Sequence, residues 1–297
     1  MNIINSIRKR LYNFGNTIKD EIVSYVAYNS NQLYLRDKTL NYVQPGISET
    51  PIFQNKKLIV SLTTYGSRLN EVYLSIESIM NQSLKPNMII LWLSEQFKNT
   101  TLPITIQNLQ KRGLVIMFCP DIKSYKKLIP TFKLYPNDII ITVDDDVIYN
   151  YDLIENLVSS YKLHPNCICA NRTRLITTKN GVFEPYSNWK YSNESIISSH
   201  LLPIGVGGVL YPPNCFHGDI TNEELFLQLC PTADDLWFKA MTILAGYKTY
   251  RAPTHEPIFY SNESVQDSSL MKLNVMGGNN DRQIQLLNEH YNLIDCF

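Results

Sequence analysis

The sequence predicts an α/β fold: a mostly parallel central sheet flanked by helices, preceded by an N-terminal helical extension. Two observations predict it. Apolar runs at Leu58–Thr63, Met88–Leu93, Val115–Phe118 and Ile139–Val143 are of the kind that parallel sheets bury on both faces. Between the first two runs, apolar residues recur at helical spacing, as a β-α-β unit requires. At 297 residues the chain suits one large or two modest domains with a substantial core.

The first segment is residues 1–56. Ile3, Ile7, Leu11, Phe14, Ile18 and Ile22 recur at steps of three or four, which predicts an amphipathic helix. Arg8, Lys9 and Arg10 lie beside this stripe, so residues 1–25 can make peripheral contact with an anionic membrane surface. Gly15 interrupts the pattern and Asp20 and Glu21 dilute its charge, which favours a helix packed on the main domain. Asn41 to Asn55, with Pro45, Gly46 and Pro51, reads as a linker.

Residues 57–297 read as the main domain, with a doubly wound half at 57–170 and a second half at 171–297. In the first half, Ser67 can cap a helix with the apolar face Leu69, Val72, Ile76, Ile79 and Met80. In the second half the strands shorten to Cys167–Asn171 and Val206–Tyr211, and a helix follows from about Ala233 to Ala245. Thr232 and Asp235 have capping-box spacing at its start, and Gly246 suits its end.

Lys plus Arg and Asp plus Glu both total 27, so no net field draws the chain to nucleic acid. The six cysteines contain no Cys-x-x-Cys pair. Cys167 and Cys169 can share a strand face and a metal, but small buried thiols explain them better. A reducing, cytoplasmic setting is expected, at the inner face of the cell membrane if residues 1–25 anchor there. No uncharged apolar run reaches the length needed to span a bilayer, and the N-terminus lacks the pattern of a signal peptide.

The chemistry concentrates in two acidic clusters. Asp144, Asp145 and Asp146 follow directly on the apolar strand Ile139–Val143, at the carboxyl end where open α/β sheets place ligands. If the chain stays extended, Asp144 and Asp146 share a face and Asp145 points away. Two such charges about 4 Å apart repel by roughly 4 kcal/mol at an effective dielectric near 20. A divalent cation offsets that, and all-oxygen ligands favour Mg²⁺ or Mn²⁺ completed by substrate phosphates. In the second cluster, Asp234 and Asp235 open a helix, where a carboxylate either serves the helix end or is held rigidly as a general base. Between them, Gly205 to Tyr211 lacks the Lys-Ser/Thr ending of a phosphate-binding P-loop, and its glycines admit a bulky ligand or a β-bulge. Trp189, between Tyr186 and Tyr191, can stack on a sugar or pack in the core.

A strand ending Thr63-Thr64-Tyr65, a second strand at Pro86–Leu93, the triplet Asp144-Asp145-Asp146, the glycine-rich segment and then Asp234-Asp235 appear in that order. Together they resemble a GT-A fold glycosyltransferase of the family 2 type, as found in bacterial capsule and lipopolysaccharide synthesis. The resemblance spans about residues 57–255, and it makes 57–170 the nucleotide-binding half and 171–297 the acceptor-binding half. It implies a nucleotide-sugar donor held by Thr63, Thr64, Tyr65, Arg68, Lys127, Asp144 and Asp145. It also implies Mn²⁺ or Mg²⁺ on Asp144 and Asp146 with His255 as a third ligand, and Asp235 as base beside Asp234. Trp189, Gly207, Gly208 and Trp237 fall on the acceptor side, for a glycan or lipid-linked saccharide, and the transfer inverts the anomeric centre. Two departures stand out: Thr-Thr-Tyr replaces the Pro-Thr-Tyr-Asn of many relatives, and Asp234 replaces the usual Glu. The rival readings are a metal-dependent nucleotidyltransferase or phosphatase and a non-catalytic carbohydrate-binding protein of the same fold. A phosphatase of the Asp-x-Asp-x-Thr type would continue with Gly-Thr where this chain has Val147-Ile148.

Overall fold

The structure is a computed structural model that describes residues 19, 22, 25–253, 260, 261 and 278–297. The chain divides into two units, residues 1–42 and 43–297. In the first, residues 25–41 form helix α1, where Lys38 places its ammonium 5.1 Å from the centre of the Tyr34 ring and 4.9 Å from that of Tyr42. Most of the basic amphipathic segment 1–25 lies outside the described residues. Among the described residues no helix is long and apolar enough to cross a membrane.

In the second unit, the stretch read as a linker is tied to the body rather than free. The Gly46 amide donates to the Arg112 carbonyl, and the Ser48 amide to that of Pro86. Arg112 also donates through Nε to the Gln44 carbonyl while its fork holds the buried carboxylate of Glu77 at 2.5 and 2.9 Å.

The elements run β1 (Leu58–Thr63), α2 (Tyr73–Met80), β2 (Met88–Ser94), α3 (Ile104–Lys111), β3 (Leu114–Cys119), α4 (Ile129–Leu134), β4 (Ile139–Thr142), β5 (Val147–Ile148), α5 (Leu153–Leu163) and β6 (Cys167–Ala170). Short strands follow: β7 (Thr173–Leu175), β8 (Thr178–Lys179), β9 (Val182–Phe183), β10 (Tyr191–Ser192), β11 (Ile197–Ser198), β12 (Leu201–Pro203) and β13 (Val209–Tyr211). The chain ends with α6 (Glu223–Leu229), α7 (Asp234–Leu244), β14 (Lys248–Arg251), β15 (Tyr260–Ser261) and α8 (Asn279–Tyr291).

The main sheet has the order β11-β14-β6-β13-β4-β1-β2-β3. Strands β4, β1, β2 and β3 are parallel, as their apolar runs predict, and β14 is parallel to β6. Strand β13 enters antiparallel between β4 and β6, so the two expected halves share one sheet. Alternate residues of β1 feed opposite faces: Leu58, Val60 and Leu62 join one core, and Ile59 joins another with Ile90 and Trp92. The α/β architecture with a mostly parallel central sheet flanked by helices is therefore present.

The helix expected from Ser67 starts later. Gly66 takes φ +58°, Gly66–Asn70 forms a 3-10 turn, and α2 begins at Tyr73. That turn holds Arg68 at the end of β1, beside β4.

Candidate functional site

Strand β4 emerges at the centre of the sheet, between β13 and β1. After Val143 the chain leaves the extended conformation, and Asp145 and Asp146 occupy a turn that leads into β5. The expected alternation therefore fails. Asp145 and Asp146 converge on one Arg68 nitrogen, Nη1, at 2.9 and 3.2 Å. Asp144 turns instead to Lys127, whose Nζ lies 3.0 Å away. Thr64 donates its hydroxyl to Asp145 at 2.6 Å, and the Asp144 amide donates to the buried Tyr149 hydroxyl at 2.7 Å. Burial pushes the Asp146 carboxyl up to about 6, with Asp144 and Asp145 adding to the effect and Arg68 opposing it. Burial likewise raises Asp145 despite Arg68 and Thr64.

Lys127 was read as a donor-binding residue, and the structure commits its charge to two carboxylates. Its side chain is only 8% exposed, and Nζ also lies 2.9 Å from Asp234 Oδ2 at the start of α7. Burial alone would favour a neutral amine; Asp144, Asp234 and Asp235 outweigh it and hold the ammonium well above the usual lysine range. Packing explains the position. Tyr125, two residues earlier, stacks on Phe226 with ring centres 4.1 Å apart and donates its hydroxyl to the Cys230 carbonyl, in the loop before α7. On the other side, Thr131 of α4 accepts from Trp92 Nε1 at 2.7 Å and shares a hydrogen bond with Ser61, tying α4 to β2 and β1.

The capping box expected at the start of α7 does not form. The Thr232 hydroxyl meets Gln283 of α8, and both oxygens of Asp235 accept from the Gly205 amide, at 3.2 and 3.1 Å. Asp235 thus faces the strand-end cluster. Burial pushes its carboxyl up to about 7; Lys127 and the Gly205 amide pull it down, while Asp234 and Asp144 push it further up.

Gly205 is a site residue that attention to Gly207 and Gly208 missed. A Cβ there would stand 2.7 Å from Lys127 Nζ, 3.0 Å from Asp235 Oδ1 and 3.5 Å from Asp144 Oδ1. Gly205→Ala is expected to cost about 1–3 kcal/mol of stability, because the added methyl displaces charged side chains by overpacking. Thermal melts measure the loss. The signal was available: Gly205 opens the glycine-rich run.

The acceptor-side expectations need correction. Trp189 and Trp237 are fully buried. Trp189 donates to the Glu184 carbonyl at 3.0 Å and Trp237 to that of Ile220 at 3.3 Å, so these indoles belong to the core and present no face to a sugar. Gly207 is buried, with a Cβ position 2.5 Å from Arg172 Cβ, and Gly208 (φ +79°) packs toward Leu153. Both serve close chain packing. On the donor side, Thr63 donates its hydroxyl to the Trp92 carbonyl at 2.9 Å, and Tyr65 is 65% exposed. His255 lies outside the described residues.

Among the described residues the carboxylates of Asp144, Asp145, Asp146, Asp234 and Asp235 face only Arg68 and Lys127 as cations. Burial lifts Asp146 and Asp235 first, and this excess of negative charge adds to the effect. A divalent cation beside Asp144 and Asp146 fits it. Among the described residues no three His, Cys, Asp or Glu side chains form a ready metal cage. Magnesium needs none, since one or two carboxylates plus substrate phosphates usually suffice. Cys167 and Cys169 are buried free thiols that burial pushes up, the opposite of the thiolate a metal requires.

No family model and no curated protein matches the sequence. Three solved structures illustrate the fold-level likeness. The UTP-bound UGPase from Acinetobacter baumannii has a TM-score of 0.42 at 10% identity, covering 81% of this chain and 94% of that one. A 4-diphosphocytidyl-2C-methyl-D-erythritol synthase has a TM-score of 0.35 at 10% identity, covering 59% of this chain and 85% of that one. The mannosyltransferase PcManGT from Pyrobaculum calidifontis, in complex with GDP-Man and Mn²⁺, has a TM-score of 0.31 at 15% identity, covering 50% of this chain and 45% of that one. Overlap of this extent assigns no activity, so function rests on the chain's own geometry.

Proposed function

We propose that this chain is a divalent-metal-dependent glycosyltransferase that moves a sugar from a nucleotide-sugar donor to an acceptor hydroxyl, with inversion, in surface polysaccharide synthesis. Lys127 carries this reading: one ammonium contacts Asp144 at the end of β4 and Asp234 at the start of α7. In this reading a site for a metal and diphosphate lies beside an anchored carboxylate.

Asp144 and Asp146 would hold Mn²⁺ or Mg²⁺, which would supply positive charge to the departing diphosphate. Arg68 keeps the Asp145–Asp146 turn closed and adds positive charge at that end of the cleft. Asp235, fixed by the Gly205 amide, takes the proton of the acceptor hydroxyl. The acceptor oxygen then forms its bond to the anomeric carbon as the bond to the diphosphate oxygen breaks, and the electron pair leaves with the nucleoside diphosphate. The acceptor is a glycan or a lipid-linked saccharide.

The decisive test is product analysis with a panel of nucleotide sugars and Mn²⁺. Free nucleoside diphosphate and a new glycosidic bond are expected. Pyrophosphate formed from nucleoside triphosphate and sugar phosphate would establish nucleotidyl transfer instead, and binding without turnover would establish a carbohydrate-binding protein. Asp146→Ala should weaken Mn²⁺-dependent donor binding about 10- to 100-fold, the scale of a disturbed metal environment. Calorimetry with and without Mn²⁺ reads this; equal affinity would remove Asp146 from the metal.

A further inference from the structure

The small sheet β10-β7-β12 carries a second concentration of charge that the proposed chemistry leaves unused. Arg174 on β7 stands opposite Tyr191 on β10, its guanidinium 4.2 Å from the centre of that ring and 5.0 Å from the centre of Tyr186. Arg172 lies 4.3 Å from the same Tyr191 ring. Two guanidinium groups are thus braced on one aromatic side chain. Arg174 Nη1 donates to the Trp189 carbonyl at 2.8 Å, which fixes the plane of its fork, and the Tyr186 amide is pinned by Asp281 at 2.6 Å. Among the described residues no carboxylate pairs with Arg174. A planar, oriented guanidinium with donors to spare is suited to bidentate recognition of a phosphate or carboxylate.

The cluster adjoins the proposed base. The Ile204 amide donates to the Arg172 carbonyl at 3.0 Å, and the Gly207 Cβ position falls 2.5 Å from Arg172 Cβ. Gly205, in the same Gly205–Gly207 turn, donates to Asp235. Arg172 and Asp235 therefore flank one three-residue turn. The Tyr186 hydroxyl, raised first by burial, also feels the charge of Asp235.

We propose that Arg172 and Arg174, braced on Tyr191, bind an oxyanion of the acceptor, a phosphate or a carboxylate, next to Asp235. This rests on the reading of Asp235 as the base and narrows the acceptor to an anionic one. The test is fragment binding by NMR titration, without donor or turnover. The probes are sn-glycerol 3-phosphate and methyl glucuronide, with glycerol and methyl glucoside as neutral controls.

One of the anions binds and its neutral counterpart does not. Arg172→Gln and Arg174→Gln each weaken it about tenfold or more, the scale of a lost charged hydrogen bond. Arg68→Gln, at the diphosphate end of the cleft, leaves it unchanged. Binding of glycerol phosphate identifies a phosphate-bearing acceptor, and binding of the glucuronide identifies a uronic acid. If Arg174→Gln unfolds, Tyr191→Leu removes the brace without touching the charge and weakens binding in the same sense. Binding of neither anion, equal binding to the arginine variants, or loss in Arg68→Gln overturns the proposal. Because no turnover is read, such a failure leaves the base assignment standing, and failure of the base assignment leaves the anion titration intact.

Discussion

Asp235→Asn is expected to lower turnover by about 10²- to 10⁴-fold, the usual worth of a positioned general base, with donor affinity retained. The amide has nearly the carboxylate's shape and its oxygen still accepts from the Gly205 amide, so the loss isolates proton transfer. The pH dependence follows from the same environment. With the Asp235 carboxyl pushed up to about 7, kcat/KM of the wild type rises with pH through a midpoint near 7. The stability effect has the opposite sign. The folded state binds this proton more tightly than the unfolded chain, whose carboxyl keeps its ordinary value of 3.8. Asp235 therefore contributes its full stability below about 4 and loses it as pH rises through about 7. Asp235→Asn should melt above the wild type at pH 8, with the gap closing toward pH 4. Unaltered turnover in the variant would remove Asp235 from the reaction.

Lys127→Met is expected to destabilise the fold by about 3–5 kcal/mol, the cost of stripping the partner from buried charges. The substitution keeps the apolar stem and deletes only the cation, leaving Asp144, Asp234 and Asp235 facing one another. Their repulsion depends on ionisation, so the gap in melting temperature to the wild type should be widest at pH 8 and narrow by pH 5. The midpoint of the pH–rate profile should also move above 7, because Lys127 pulls the Asp235 carboxyl down. Lys127→Arg restores the charge and should recover part of both effects. A melting gap that ignores pH would mean that Lys127 acts through packing alone.

Strands β1 to β4 were legible because each is a run of neighbouring apolar residues, and their parallel pairing follows from that double-sided burial. Asp144 to Asp146 at a strand end and Asp235 at a helix start were legible for the same reason, since both positions are set within a few residues. Partners were not. Whether Thr232 caps α7 depends on Gln283 of α8, which takes the Thr232 hydroxyl and leaves Asp235 to the Gly205 amide. Whether Trp189 and Trp237 meet a sugar depends on what packs against them, Phe183 and Tyr186 on the first, Phe226 of α6 and Tyr291 of α8 on the second.

Chain periodicity alone set the fold class, the central strands and the places where carboxylates collect, because those follow from contacts between near neighbours. The tertiary structure decided that Lys127 joins two distant acidic clusters, that Asp145 and Asp146 share Arg68, and that Arg172 and Arg174 share the Tyr191 ring. Pairings of charge depend on distance in space, and β13 entering the sheet between β4 and β6 brings Gly205, Asp235 and the β4 carboxylates together.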